Sequence, residues 1–271
     1  MLAPERYLRA TIRWRRDYSA DLWSVGLELP EPLRFRPGQY ATLALEDDTG
    51  IHERPYSIVS SPEQPGLEFF FELVPGGELT PRLYRLATGD AVWVRRAAKG
   101  LFQLDTVSGR RRHLLVATVT GLAPFLSILR TLAANGPPAA SAPATIALVA
   151  AASRSWEFGY REEIEQQLAP RLPALHPVFS VSRPWEDTAW QGERGRAEDI
   201  LRKYADAHGC AAEAATAYLC GHPQMIANAK AILARCGFPS RSIHEEVYWI
   251  PSKSQPESPN PPLPRSPGAG T

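Results

Sequence analysis

Through the first hundred residues apolar and polar positions alternate in short runs. Tyr7–Arg16, Leu22–Leu29, Tyr40–Leu45, Ile51–Ser60, Leu67–Val74 and Ala91–Arg95 carry this two-residue period. It marks strands with one buried face. Arg36-Pro37-Gly38-Gln39, between the second and third runs, suits a type II turn: Pro presets φ and Gly takes a positive one. In this half only Leu79–Leu86 has helical spacing, with Pro81 in its first turn, where a missing N–H does no harm. Six strands and one short helix predict a closed antiparallel β-barrel.

Beyond about residue 110 the period changes. Apolar strand runs at His113–Thr118, Ala144–Ala152, Ala174–Val181, Thr216–Cys220 and Ser240–Glu246 alternate with helical patterns. The helical patterns fall at Leu122–Leu132, Glu157–Leu168, Ala197–His208 and Pro223–Arg235. That alternation predicts a doubly wound α/β domain with a parallel sheet and right-handed crossovers. The switch near Thr106–Arg112 divides the chain into domains at 1–108 and 109–249. Residues 250–271 are Pro/Ser-rich without apolar period and are predicted to be a disordered tail. Ligands of a doubly wound sheet gather beyond the carboxyl ends of its strands.

Composition changes this picture mainly by exclusion. The 271 residues agree with two domains. Lys+Arg is 30 against 29 Asp+Glu, a net charge of +1, which excludes a strongly basic nucleic-acid binder. Three cysteines, Cys210, Cys220 and Cys236, form no C-x-x-C pair. No disulfide scaffold, zinc module or protein-bound iron–sulfur cluster is expected, and no metal site. The N-terminus lacks the apolar core of a signal peptide, and no stretch is apolar enough to span a bilayer. A cytoplasmic protein without membrane insertion is expected. All but four of the 30 basic residues are Arg. Arg suits bidentate phosphate recognition, although a GC-rich genome produces the same bias.

Five short motifs carry candidate chemistry. In Arg54-Pro55-Tyr56-Ser57-Ile58 an extended strand would point Arg54 and Tyr56 to one face and Pro55 and Ser57 to the other. That supplies a forked cation, a flat ring and a hydroxyl; an ordinary strand with an exposed Arg is the plainer account. Gly76-Gly77-Glu78-Leu79-Thr80 precedes the short helix and could form an anion site or simply a turn. Thr118-Val119-Thr120-Gly121 closes the first parallel strand, where a pyrophosphate could sit on free N–H groups; it is not a G-x-G-x-x-G fingerprint. Cys220-Gly221-His222-Pro223-Gln224-Met225 places a cysteine at a strand end, over the cleft or buried as a small hydrophobe. Ser182-Arg183 and Gly195-Arg196 could grip a dianionic phosphate or be solvated surface arginines.

Taken in order, these motifs resemble the ferredoxin–NADP(H) reductase family, in its bacterial type, from about Tyr7 to Trp249. RPYSIVSSP is similar to its flavin-binding strand and LVPGGELTPRL to its flavin pyrophosphate segment. ATVTGLAPFLSIL resembles its nicotinamide-nucleotide turn, YLCGHPQMI its C-G-x-P-x-M element, and EEVYW its aromatic C-terminus. The resemblance implies an FAD-binding barrel followed by an NADP(H)-binding α/β domain. It implies FAD as cofactor, NADP(H) as substrate, and ferredoxin or flavodoxin as partner of a monomeric enzyme. It assigns FAD to Arg54, Pro55, Tyr56, Ser57, Ile58, Gly77, Leu79 and Thr80. It assigns the nucleotide to Thr118, Thr120, Gly121, Arg154, Ser182, Arg183, Arg196, Gly221 and Met225. Ser57, Cys220, Tyr248 and Trp249 would surround the site of hydride transfer, the last two as a lid.

Three departures stand out. Val119 occupies the place of the first Gly of the nucleotide turn, and a β-branched residue stiffens that backbone. Ser153 falls where the family's other phosphate-binding Arg is expected, leaving Arg154 one residue away. The chain continues past Trp249. Two other readings therefore stand beside a ferredoxin–NADP(+) reductase. One is an oxygenase reductase component using NADH and a separate ferredoxin. The other is a flavin-binding electron-transfer subunit with impaired nicotinamide binding. Arg95, Arg96, Lys99 and Arg110–Arg112 form a candidate docking surface for an acidic carrier, or a solvated basic linker.

Overall fold

The structure is a computed structural model that describes residues 3, 5–136 and 142–248. Trp249 and the proposed tail lie outside the described residues. Strands β1 (Tyr7–Asp17), β2 (Leu22–Glu28), β3 (Tyr40–Asp47), β4 (Gly50–Ser57), β5 (Leu67–Glu72) and β6 (Ala91–Arg95) pair antiparallel in the order β4-β3-β6-β1-β2-β5. The expected barrel is not closed: no ladder joins β4 to β5 among the described residues. The seam is instead stitched just past β4, where the Val59 N–H donates to the Glu68 carbonyl at 2.8 Å. The concave face encloses Trp23, Phe69, Phe71, Ile58, Leu79 and Leu83.

The second sheet is parallel throughout. It comprises β7 (Arg112–Thr118), β8 (Thr145–Ala152), β9 (Leu175–Val181), β10 (Glu193–Arg194), β11 (Ala215–Gly221) and β12 (Ile243–Val247), in the order β10-β9-β8-β7-β11-β12. Every residue of β8 is buried, as a central strand covered on both faces requires. The Ala123–Asn135 helix packs on one face, and the Ala197–Ala207 and Pro223–Arg235 helices on the other. Prolines at 124 and 223 fall in first turns, as expected, and Gly136 ends the first helix with φ 64° and its N–H on the Leu132 carbonyl.

Three local expectations differ. The two-residue β10 is too short to show a period. The helix expected from Glu157 begins at Arg161, after a 3₁₀ turn over Ser155–Glu157. Gly159, with φ 36° and its missing Cβ against the Phe70 ring, breaks the pattern between them. The last strand starts at Ile243, because Ser240–Ser242 makes a 3₁₀ turn after Pro239.

The two domains share one apolar cluster, in which Leu22, Val59, Phe70 and Phe102 of the first meet Phe125 and Tyr160 of the second. Arg130, on the Ala123–Asn135 helix, crosses the same boundary. It forks onto Glu163 (2.6 and 2.8 Å) and reaches Glu68 of β5 (2.6 Å) and the Val59 carbonyl (3.3 Å). The Tyr160 hydroxyl donates to Glu68 at 2.6 Å, and Ser127 donates to the Ser60 carbonyl at 2.7 Å.

His113 of β7 is 1% exposed, and its Nε2 has no partner. Burial pushes its imidazole down to about 4, the Asp105 charge opposing only in part. The fold therefore accepts the neutral ring, while the unfolded chain's ring protonates near its usual value of 6.5. This contribution to stability is complete above that value and is lost as pH falls toward 4, at up to about 1.4 kcal/mol per pH unit and about 3 kcal/mol in all. Urea denaturation followed from about pH 7 to about pH 4 should show a steeper loss for the parent than for His113→Phe. Equal slopes would remove His113 as the cause.

Candidate functional site

On the half-barrel side, Arg54 and Tyr56 project from β4, and Arg54 forms an ion pair with Glu78 across the 74–80 loop. That loop is tied by the Val74 N–H donating to Thr80 Oγ1 (3.1 Å) and by the Gly77 N–H on the Val74 carbonyl (2.9 Å). A Cβ at Gly77 would press on the Val74 carbonyl at 3.0 Å and on Thr80 Oγ1 at 3.3 Å, while the missing Cβ of Gly76 faces open space. The result is a small cradle beside a guanidinium, and a diphosphate placed there would take Arg54 by displacing the Glu78 carboxylate. The Tyr56 ring is held edge-on to Phe71, centroids 4.9 Å apart. Pro55 is exposed on β4. Ile58 and Leu79 are buried in the half-barrel core, and the Ile58 N–H is committed to the Gln39 carbonyl. Their contribution to a ligand would be to shape the wall.

At the carboxyl ends of the parallel strands lies a cleft of about 590 Å³. Its lining includes Thr118, Thr120, Arg154, Ser182, Arg183, Arg196, Gly221 and Met225. Of the residues expected at the nucleotide, Gly121 alone is absent from this wall, for a packing reason. A Cβ there would stand 2.2 Å from the Cys220 carbonyl oxygen, and one at Gly221 (φ 124°) would stand 2.2 Å from Thr118 Oγ1. The two turns touch, and the His222 N–H donates to Thr118 Oγ1 at 2.8 Å. Thr118 thus ties the turns together and keeps its own proton for a ligand.

Val119 forms part of this wall and has φ 43°, the one positive φ outside glycine among the described residues. A β-branched residue in that region costs about 1–2 kcal/mol. Val119→Gly should therefore raise stability, by about 1 kcal/mol once glycine's extra chain entropy is charged against it. It should also lower the apparent KM for the pyridine nucleotide that the sequence resemblance implies, by opening the approach to the backbone. An unchanged or raised KM would sink the second expectation.

The two halves meet at one point. Ser57, at the end of β4 and 4% exposed, donates a short hydrogen bond to the Glu246 carboxylate of β12. Burial raises the Glu246 carboxyl and the Ser57 hydroxyl opposes that shift. Cys220, fully buried at the end of β11, lies against Glu246 and the Tyr248 hydroxyl. Burial pushes its thiol well up, the neighbouring Glu246 charge adds to this, and the thiol stays protonated. Cys220 therefore lies in the core and not over the cleft, and Tyr248 is the exposed member that lines the cleft.

Sequence reading missed Glu246. Its signal was the strand period itself: Glu246 and Tyr248 are two apart and share a face. It also missed Glu157 and Glu186, which hold Arg154 beside the cleft. The basic stretch expected to meet a carrier is largely engaged within the chain. Arg95 pairs with Glu53, Arg96 with Glu31, and Arg112 bonds Thr145 and the His208 carbonyl.

A half-barrel joined to a parallel sheet, with a diphosphate cradle and a hydroxyl- and guanidinium-lined cleft, defines a two-domain oxidoreductase that binds flavin and pyridine nucleotide. Residues 9–103 match the oxidoreductase FAD-binding domain, and residues 115–231 the oxidoreductase NAD-binding domain. The chain belongs to the ferredoxin–NADP(H) reductase family. A Ralstonia ferredoxin–NAD(P)(+) reductase component of naphthalene 1,2-dioxygenase/salicylate 5-hydroxylase systems is 31% identical over 253 residues, 91% of this chain and 70% of that protein. The Shigella flexneri flavodoxin/ferredoxin–NADP reductase is 43% identical over 109 residues, 40% of this chain and 44% of that relative's length. The crystal structure of a Neisseria gonorrhoeae ferredoxin NADP+ reductase with bound FAD and NADP superposes with a TM-score of 0.78 at 21% identity, over 90% of this chain and 99% of that one.

Proposed function

We propose that the chain is a ferredoxin or flavodoxin–NADP(+) reductase, passing electrons between NADPH and a one-electron carrier. The observation that carries this reading is the Ser57–Glu246 contact, which ties the end of β4 to β12 beside Tyr248, a residue of the cleft wall. FAD, when bound, supplies a ring that takes a hydride from reduced nicotinamide and gives up electrons singly. The chain's own residues position the partners. Arg54, Gly77 and Thr80 hold the flavin diphosphate, and Tyr56 packs against the ring. Thr118, Thr120 and the Gly121 turn receive the nucleotide pyrophosphate, and Ser182, Arg183 and Arg196 its 2′-phosphate. The Ser57 hydroxyl spends its proton on Glu246 and presents its oxygen lone pairs where the two rings would meet. Tyr248 shields Cys220 and must move aside to admit nicotinamide.

Anaerobic mixing of the FAD-loaded protein with NADPH should bleach the flavin, and a panel of ferredoxins and flavodoxins should then reoxidise it. No bleaching with either NADPH or NADH would overturn the reading. A second reading, an oxygenase reductase component using a separate ferredoxin, is supported by the 31% identity over 253 residues of the Ralstonia match. KM for NADPH against NADH separates the two. A cytoplasmic location and a monomeric state belong to the same proposal. Among the described residues no helix is long and apolar enough to cross a membrane.

A further inference from the structure

Three guanidiniums, Arg154, Arg183 and Arg196, share the end of the cleft that also holds Ser182, and they differ in what else they hold. Arg154 is fully committed. Its Nε donates to Glu186 at 2.7 Å, its Nη1 to Glu157 at 3.1 Å, and its plane lies 5.7 Å over the Trp156 ring. Arg183 lies 3.6 Å from the other oxygen of Glu186. The Arg196 guanidinium has no ion pair among the described residues. Glu157 is built into the backbone, accepting the Ser153 N–H at 2.8 Å. Among the described residues Glu186 has no such backbone anchor; it sits on the short Pro184–Glu186 turn, where its carboxylate pairs with both Arg154 and Arg183.

We infer that Glu186 sets the nucleotide preference of this cleft by competing with the 2′-phosphate for Arg154 and Arg183. The inference rests on the nucleotide-binding role proposed above. A 2′-phosphate carries nearly two negative charges at neutral pH. To reach Arg183 it must displace the Glu186 carboxylate or sit beside it, and either choice weakens its binding. A nucleotide without that phosphate meets no such opposition. The preference for NADPH over NADH is thus smaller than three arginines would give unopposed, and Arg196 supplies most of it.

The test is a binding titration of the full chain with adenosine 2′,5′-bisphosphate and with AMP, which differ by the 2′-phosphate alone. Glu186→Gln should tighten the bisphosphate about fivefold, a charge effect at partly screened distance. AMP should change less than twofold. Glu186→Ala should do the same, and Glu165→Gln, which removes a carboxylate paired to Arg161 elsewhere, should change neither. An unchanged ratio in both Glu186 variants, or a parallel change for the two ligands, overturns the inference. Flavin bleaching is scored separately. If neither NADPH nor NADH reduces the flavin while the ratio shifts as expected, the oxidoreductase reading falls and the role of Glu186 stands.

Discussion

Arg130→Ala should cost about 3–5 kcal/mol of folding stability, the usual penalty for removing one partner of a buried ion pair. The Arg130 side chain is 11% exposed, as is that of Glu68. Burial works against its charge, but Glu163 and Glu68 outweigh that and hold the guanidinium firmly protonated. Alanine would leave the largely buried Glu68 carboxylate with the Tyr160 hydroxyl as its remaining partner. The loss should appear as a fall of about 10 °C in Tm, since 1 kcal/mol moves a chain of this size by about 2–4 °C. Because the group bridges the domains, limited proteolysis at the 96–111 connection should speed up in parallel. A loss below about 1 kcal/mol would show that water replaces the lost donors and that the bridge is not buried in solution.

Ser57→Ala should slow flavin reduction by NADPH about a hundredfold, with KM little changed. The Ser57–Glu246 pair is a preorganised polar group at the proposed reacting centre, and dismantling such a group typically costs that much in kcat. The Ser57 hydroxyl also holds the Glu246 carboxyl down against the effect of burial. Its loss should therefore shift the acid limb of the pH–rate profile upward, an effect that simple destabilisation would not produce. Ser57→Thr keeps a hydroxyl and should restore much of the rate. An unchanged pH profile, or a fall in rate explained wholly by lost FAD, would show that Ser57 serves packing and not the transfer step.

Much of the fold is legible in the chain's own pattern. The change from a two-residue to a helical period near residue 110 located the switch from antiparallel to parallel sheet, because each sheet buries its strands differently. Where reading failed, the cause was local. A two-residue strand has no period, Gly159 broke a helix at its first turn, and nothing in a strand's own pattern states whether two edges of a sheet will meet.

The site divides in the same way. Sequence alone determined which residues could bind phosphate, because Arg, Ser, Thr and Gly at strand ends have the chemistry for it wherever the fold takes them. Tertiary structure decided which of them are free to do so. Arg154 is spent on two carboxylates, Gly121 is packed against the Cys220 carbonyl, and Cys220 is sealed beneath Tyr248. It also brought Ser57 to Glu246, 189 residues away. The physical reason is that a side chain's chemistry is set by its covalent structure. Its availability is set by burial and by competing partners, and those come from distant parts of the chain.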